Sequence, residues 1–207
     1  MNIVLFSSSD FSIPILKSLL ASEHQVVHVV TVPDKKRGRG QNILPSAVRC
    51  FASEHGWPLS APDRLRDPQV ANGIKETSPD FLVIASYGKI LPASIFSLAK
   101  IAALNVHPSL LPRHRGAAPI QRAIVEGDTK TGVTIAEVTR DLDAGDLFGQ
   151  AETEIGENEN ALQLGERLSQ LGAQLLHQVI GQFAAGKVSR MPQDERGATY
   201  AEKLEKD

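Results

Sequence analysis

Phe81 to Ser86 constrains the fold more than any other stretch: Phe-Leu-Val-Ile-Ala-Ser follows Asp80 with no polar alternation. A strand with one face in water alternates apolar and polar residues, so this short unbroken run reads as a parallel strand covered on both faces. Covering both faces takes helical crossovers, and the first half of the chain offers strands and helices in turn. Asn2 to Phe6 reads as a buried strand and Phe11 to Leu20 as a helix. Ile13, Ile15, Leu16, Leu19 and Leu20 form the apolar stripe of that helix, and Ser9 or Asp10 is placed to cap it. Val26 to Val32, dense in β-branched residues, is the next strand. After a basic loop, Pro45 leads into a helix from Ser46 to Glu54. The expected class is α/β, Rossmann-like, with a mostly parallel central sheet and helices on both faces.

Further along, Ala102 to Val106 reads as a shorter strand, and Val133 to Val138 alternates more. Leu147 to Ala151 is placed to pair with Val133 to Val138 across a turn at Asp143-Ala144-Gly145-Asp146. Glu159 to Ala185 carries leucines at helical spacing, although Gly165 and Gly172 weaken it. From Gly186 the chain is polar and reads as a tail.

With 207 residues and 42% hydrophobic content, the chain can bury one sizeable core but not two full α/β domains. A single cysteine, Cys50, excludes an internal disulfide, and the opening Met1 to Phe6 lacks the basic flank of a signal peptide. No stretch approaches the roughly 18 apolar residues of a membrane span. These features lead us to expect a cytoplasmic monomer with no membrane association. The net charge of −2 is unevenly spread. Lys35, Lys36, Arg37 and Arg39 crowd around Gly38 and Gly40, a loop suited to phosphates or simply to solvent.

The chemistry concentrates after predicted strands, where ligands bind in open α/β sheets. Asn105 and His107 are two residues apart, so in a strand they project to the same side. An amide and an imidazole aimed at one spot suit an oxygen that gains negative charge, or simply a turn and a structural histidine. Thr139 to Asp146 adds Asp141, Asp143 and Asp146 beside a glycine. One of these carboxylates meeting His107 would fix its tautomer. No G-x-G-x-x-G run, P-loop, nucleophile elbow or H-E-x-x-H pattern is present. His28, His107 and His114 lack metal-ligand spacing. Direct transfer, with neither metal nor covalent intermediate, is the expectation.

Several longer words occur in order. They are Asn105 to Ile124 (Asn-Val-His-Pro-Ser-Leu-Leu-Pro-Arg-His-Arg-Gly-Ala-Ala-Pro-Ile-Gln-Arg-Ala-Ile), Gly127-Asp128, Thr131 to Ile135, Leu142 to Asp146, Pro192-Gln193 and Ala198 to Ala201. Together they resemble the catalytic (N-terminal) domain of the methionyl-tRNA formyltransferases, within the folate-dependent formyltransferase superfamily. The resemblance implies a catalytic domain over 1–203, with 204–207 opening a linker to a C-terminal β-barrel domain. It places the catalytic trio on Asn105, His107 and Asp143. It implies 10-formyltetrahydrofolate as co-substrate, lined by Ser86, Tyr87, Gly88, Lys89, Ile90, Leu91 and Pro92 and by Thr139, Arg140, Asp141 and Leu142. It also implies that Lys35, Lys36, Arg37 and Arg39 contact initiator methionyl-tRNA. Ser7 and Ser8 depart from the glycine and threonine usual after the first strand of that family.

The implied reaction is attack of an amine on the formyl carbon. Asn105 and His107 would stabilise the oxyanion, and Asp143 would orient His107. Rival readings are formylation of an amino-sugar nucleotide, formyltetrahydrofolate hydrolysis, and a catalytically silent tRNA- or folate-binding module.

Overall fold

The computed structural model describes residues 1–34, 36–37 and 42–204, with Lys36, Arg37, Asn42 and Ile43 described by backbone alone. Two compact units make up the chain, Met1–Ala103 and Leu104–Asp207.

The first unit is built on β1 (Asn2–Ser7), whose Ile3 to Ser7 are buried. A 3-10 turn, Asp10–Ser12, precedes α1 (Ile13–Leu20), so the helix starts after the expected Phe11, at the first residue of its apolar stripe. The expected side-chain cap is not made: Ser9 donates its hydroxyl to Ser86 Oγ instead, at 2.7 Å. β2 (Gln25–Val30) follows, and within the basic loop β3 (Lys36–Arg37) and β4 (Asn42–Ile43) pair antiparallel. Ser46 caps α2 (Ala47–Glu54) by accepting from Arg49 N at 3.2 Å. β5 (Leu59–Ser60) and α3 (Pro68–Glu76), capped by Asp67, carry weak periodicity and were not expected. β6 (Phe81–Ala85) is buried along its whole length, as its unbroken apolar run requires, and α4 (Ala93–Phe96) follows. These strands lie in the order β6-β1-β2-β5, every pair parallel.

Within the second unit the strand pairing is different. β7 (Ala102–His107), β9 (Lys130–Glu137) and β10 (Leu147–Glu154) pair antiparallel in the order β7-β9-β10. The parallel pairs thus lie in the first unit and the antiparallel pairs in this one. A short link is enough to join antiparallel neighbours, whereas parallel ones need a crossover. Between β7 and β9 lie β8 (Arg115–Gly116) and α5 (Pro119–Val125), the latter opened by Pro119 at its first turn. α6 (Ala161–Ala184) begins at a capping box formed by Asn160 and Gln163 and lies against β9 and β10. It runs unbroken through both glycines. A Cβ on Gly172 would stand 2.9 Å from Val106 Cγ1, so this glycine permits close helix–sheet approach.

The predicted polar tail is not a tail. Met191 exchanges two backbone hydrogen bonds with Leu147, and β11 (Tyr200–Ala201) pairs parallel with β8. Its polar residues are spent on hydrogen bonds into the unit, which periodicity cannot register.

Gly172→Val should cost about 1–3 kcal/mol of stability by overpacking. Gly181→Ala on the same helix meets nothing within 4 Å and should gain about 0.5–1 kcal/mol. Urea unfolding of the two variants against the parent checks both signs.

Candidate active site

Asn105 and His107 occupy alternate positions of β7, and they reach the same carboxylate from one side of the strand. Asn105 Nδ2 donates to Asp143 Oδ1 at 2.9 Å. His107 Nδ1 stands 3.7 Å from Asp143 Oδ2, close enough for charge interaction but too long for a hydrogen bond. The backbone N–H of Gly116 completes the set, donating to Asp143 Oδ2 at 2.8 Å. His107 is 4% exposed and the Asp143 side chain 11%, so these interactions are largely screened from water. The other two acids of the loop do not join them. Asp141 is exposed, and Asp146 uses its carbonyl to accept from Glu137 N at 2.8 Å.

The ring of His107 has a defined tautomer. Its Nε2 lies 2.9 Å from the carbonyl oxygen of His114. A carbonyl only accepts, so Nε2 carries hydrogen and Nδ1 is the atom free to gain or lose a proton. His114 is itself buried and sits at φ 59, and its Nε2 pairs with Asp128 Oδ2 at 2.7 Å. Arg113 Nε donates to the same oxygen at 2.9 Å. Arg113 first, and His114 after it, hold the Asp128 carboxyl below the usual range.

Backbone conformation marks the same places. The described non-glycine residues with positive φ are Ser78, Ser86, His114 and Asp143. Three of these fall in segments singled out for chemistry, where locally costly geometry is held by its surroundings. For Asp143, at φ 50, the holding groups are visible. Gln193 Nε2 donates to the carbonyls of Asp143 at 2.8 Å and Gly145 at 2.7 Å. Gly145 has no alternative: a Cβ there would lie 2.0 Å from the Glu137 carbonyl oxygen. Behind Gln193 stands Arg115, 2% exposed, which donates twice to Gln193 Oε1 and in a fork to both oxygens of Glu195. That pairing holds the Glu195 carboxyl below its ordinary range.

A second polar cluster supports the loop after β7. Thr134 Oγ1 donates to Ser109 O at 2.7 Å and accepts from Leu111 N at 3.1 Å. Gln150 adds bonds to Leu111 O and Thr134 Oγ1. The roles of Gly116, His114, Arg115, Thr134 and Gln150 had no periodic signal. Gln193 had only a resemblance in wording.

The remaining predicted residues are placed as follows. In the second unit Thr139, Arg140, Asp141 and Leu142 are exposed, and Thr139 Oγ1 closes a turn on Asp141 O. In the first unit Ser86, at φ 52, ties to Ser8 and Ser9. Tyr87 packs edge-on against Phe6, with a buried hydroxyl lacking a hydrogen-bond partner among the described residues. Burial pushes its pKa up to about 12. Gly88 N donates to Ser8 Oγ, while Lys89 Nζ donates to the carbonyls of Pro62 and Asp63. Ile90 is 83% exposed, Leu91 is buried and Pro92 precedes α4. Ser8, Asp34, Asp63, Gly88 and Lys89 are among the residues lining a cavity of about 420 Å³. Lys35 and Arg39 lie outside the described residues, as do the side chains of Lys36 and Arg37. Among the described residues no cluster of three His, Cys, Asp or Glu is placed to hold a metal, and no helix is long and apolar enough to cross a membrane.

The chain belongs to the formyl transferase family, whose model matches residues 1–180. Its fold is that of formyltransferases of known structure. The phosphoribosylglycinamide formyltransferase of Anaplasma phagocytophilum aligns over 94% of this chain and 96% of its own, with TM-score 0.76 and 20% identity. Sequence likeness is narrower. Methionyl-tRNA formyltransferase from Sulfurihydrogenibium sp. is 45% identical over 207 residues, covering 100% of this chain and 67% of the relative. The protein of the same name from Methylobacillus flagellatus is 44% identical over the same coverage. The chain therefore spans about two thirds of the length of these relatives.

Asp128→Asn removes a carboxylate whose lowered pKa stabilises the fold above the ordinary carboxylate value of about 3.9. That contribution is lost as pH falls through the lowered folded-state value. The variant should be less stable at pH 7 by about 1–3 kcal/mol, and its deficit should shrink as the pH drops from 4 to 3. Urea midpoints at pH 7, 4 and 3 measure this.

Proposed function

We propose that this chain transfers the formyl group of 10-formyltetrahydrofolate to the free amino group of initiator methionyl-tRNA, through Asn105, His107 and Asp143. The observation that carries the reading is the single carboxylate of Asp143, which accepts from Asn105 and faces Nδ1 of His107. The likeness to methionyl-tRNA formyltransferases across the whole chain supports the substrate pair.

The amine nitrogen attacks the formyl carbon, forming the new C–N bond and driving charge onto the formyl oxygen. Collapse breaks the bond to the folate nitrogen, which gains a proton as the amine loses one. Asn105 spends one amide N–H on Asp143 and keeps a second for the developing oxyanion. His107 holds its Nε2 proton on the His114 carbonyl, so Nδ1, next to Asp143, is the site for proton transfer. A neighbouring carboxylate stabilises the imidazolium at that moment without itself needing to move. The exposed side chain of Leu142 and its neighbours Thr139, Arg140 and Asp141 offer an apolar and polar surface for the folate. Ser86 to Pro92, with exposed Ile90, are the residues of the first unit that the family resemblance gives to the folate. Lys35, Lys36, Arg37 and Arg39 supply charge for acceptor-stem phosphates, which orient the RNA rather than read its bases.

Loss of one well-placed oxyanion donor costs about 3 kcal/mol in the barrier, roughly a hundredfold in rate. Asn105→Ala and His107→Ala should each lower kcat by about that factor when formyl transfer to charged initiator methionyl-tRNA is followed. Retention of kcat within about threefold in both variants would sink the assignment. An amino-sugar nucleotide supplied as acceptor should give no transfer, and turnover of it in preference to the tRNA would replace the substrate proposed.

A further inference from the structure

Asp143 is held by two separate sets of bonds. Asn105 and Gly116 grip its carboxylate, while its backbone stays at φ 50 through a route with no part in the reaction as written above. That route runs from Gln193 through Arg115 to Glu195. We propose that Gln193 is a positioning residue for formyl transfer, clamping the carbonyls of Asp143 and Gly145 so that the Asp143 carboxylate stays aimed at His107 Nδ1. The proposal rests on the reading of Asp143 as part of the transfer site.

The geometry makes Gln193 more than a filler. Its amide nitrogen bridges two carbonyls two residues apart, at 2.8 and 2.7 Å, across the one turn that carries Asp143. Its amide oxygen takes both Nε and Nη2 of Arg115, at 3.1 and 2.8 Å, which fixes which end of the amide faces the turn. Arg115 donates only, so the oxygen must face it and the NH2 must face the carbonyls. Glu195 then holds the guanidinium from its far side with bonds of 2.9 and 2.7 Å. Arg115 and Gly116 are adjacent, so one two-residue strand supplies both the clamp's anchor and a donor to the carboxylate. Misplacement of a reacting group by about 1 Å can cost on the order of a hundredfold in rate.

Gln193→Glu isolates the effect. A glutamate there keeps Arg115 paired, so the strap stays anchored, but it loses both N–H donors and sets an anion against two carbonyls. The expected result is a kcat lowered about 10- to 100-fold, with KM for both substrates within about twofold and the near-UV circular dichroism of the parent. The double variant with Asp143→Asn, measured in single turnover with enzyme in excess, should be no slower than Asp143→Asn alone, because Gln193 acts through Asp143. If Asp143→Asn itself stays within threefold of the parent, the transfer site is wrong. If Asp143→Asn is crippled while Gln193→Glu stays within threefold, or the two losses multiply in the double variant, the positioning role is wrong. Should Gln193→Glu fail to fold, Gln193→Met decides, since it removes the amide and leaves the Arg115–Glu195 pair in place. A kcat lowered at least threefold at constant KM is then expected, and an unchanged kcat overturns the proposal.

Discussion

A carboxylate that must accept several donors and still face an imidazole has to be presented by a backbone that resists relaxing, and Asp143 is presented by a left-handed residue. That conformation is costly for any residue with a Cβ, though aspartate tolerates it better than most. It persists because the surrounding bonds over-determine it. Its two oxygens accept from Asn105 and Gly116, its carbonyl accepts from Gln193, and Gly145 two residues on leaves room for Glu137. Each of those partners belongs to a different segment of the second unit, so the turn is the point on which β7, β8, β9 and the C-terminal strap depend.

Behind that turn the unit buries polar groups that a simple apolar core would avoid. Arg115 is among the largest side chains fully withdrawn from solvent, and leaving its charge unpaired would be strongly unfavourable. Gln193 and Glu195 satisfy it in planar, forked geometry that lysine does not reproduce. Thr134, Ser109 and Gln150 perform a parallel task under the loop that follows β7. Fully satisfied networks of this kind specify one arrangement, because any slip in register strands a donor in a dry interior. A site that stabilises transient charge benefits from such fixed donors, which have no reorganisation to undergo as the charge develops.

How much of this was readable beforehand varies by segment, for physical reasons. Strands β1 and β6 were legible because burial on both faces demands continuous apolar runs, and β2 because it is dense in β-branched residues. The pairing of β9 with β10 was legible from alternation flanking a turn. Two-residue spacing put Asn105 and His107 on one side, as found. By contrast, α3, α5 and the strap through β11 were not foreseen. Short helices opened by proline leave little periodicity, and a strap held by scattered backbone pairs and polar side chains looks, residue by residue, like a solvated tail.

Local order along the chain was enough to determine the α/β class, the strand carrying the amide and the imidazole, and the short list of acids able to join them, since each depends on neighbours two to four residues away. That Asp143 is the acid turned inward was suggested by resemblance in wording but by no local periodicity, and which nitrogen of His107 holds the fixed proton and how Gln193 clamps the turn were decided only in three dimensions. Those features arise from contacts spanning 7 to 80 residues, as in His107 with His114 and Arg115 with Glu195. No local pattern encodes them, because a hydrogen-bond partner is selected by where the packed backbone brings it and not by its place in the chain.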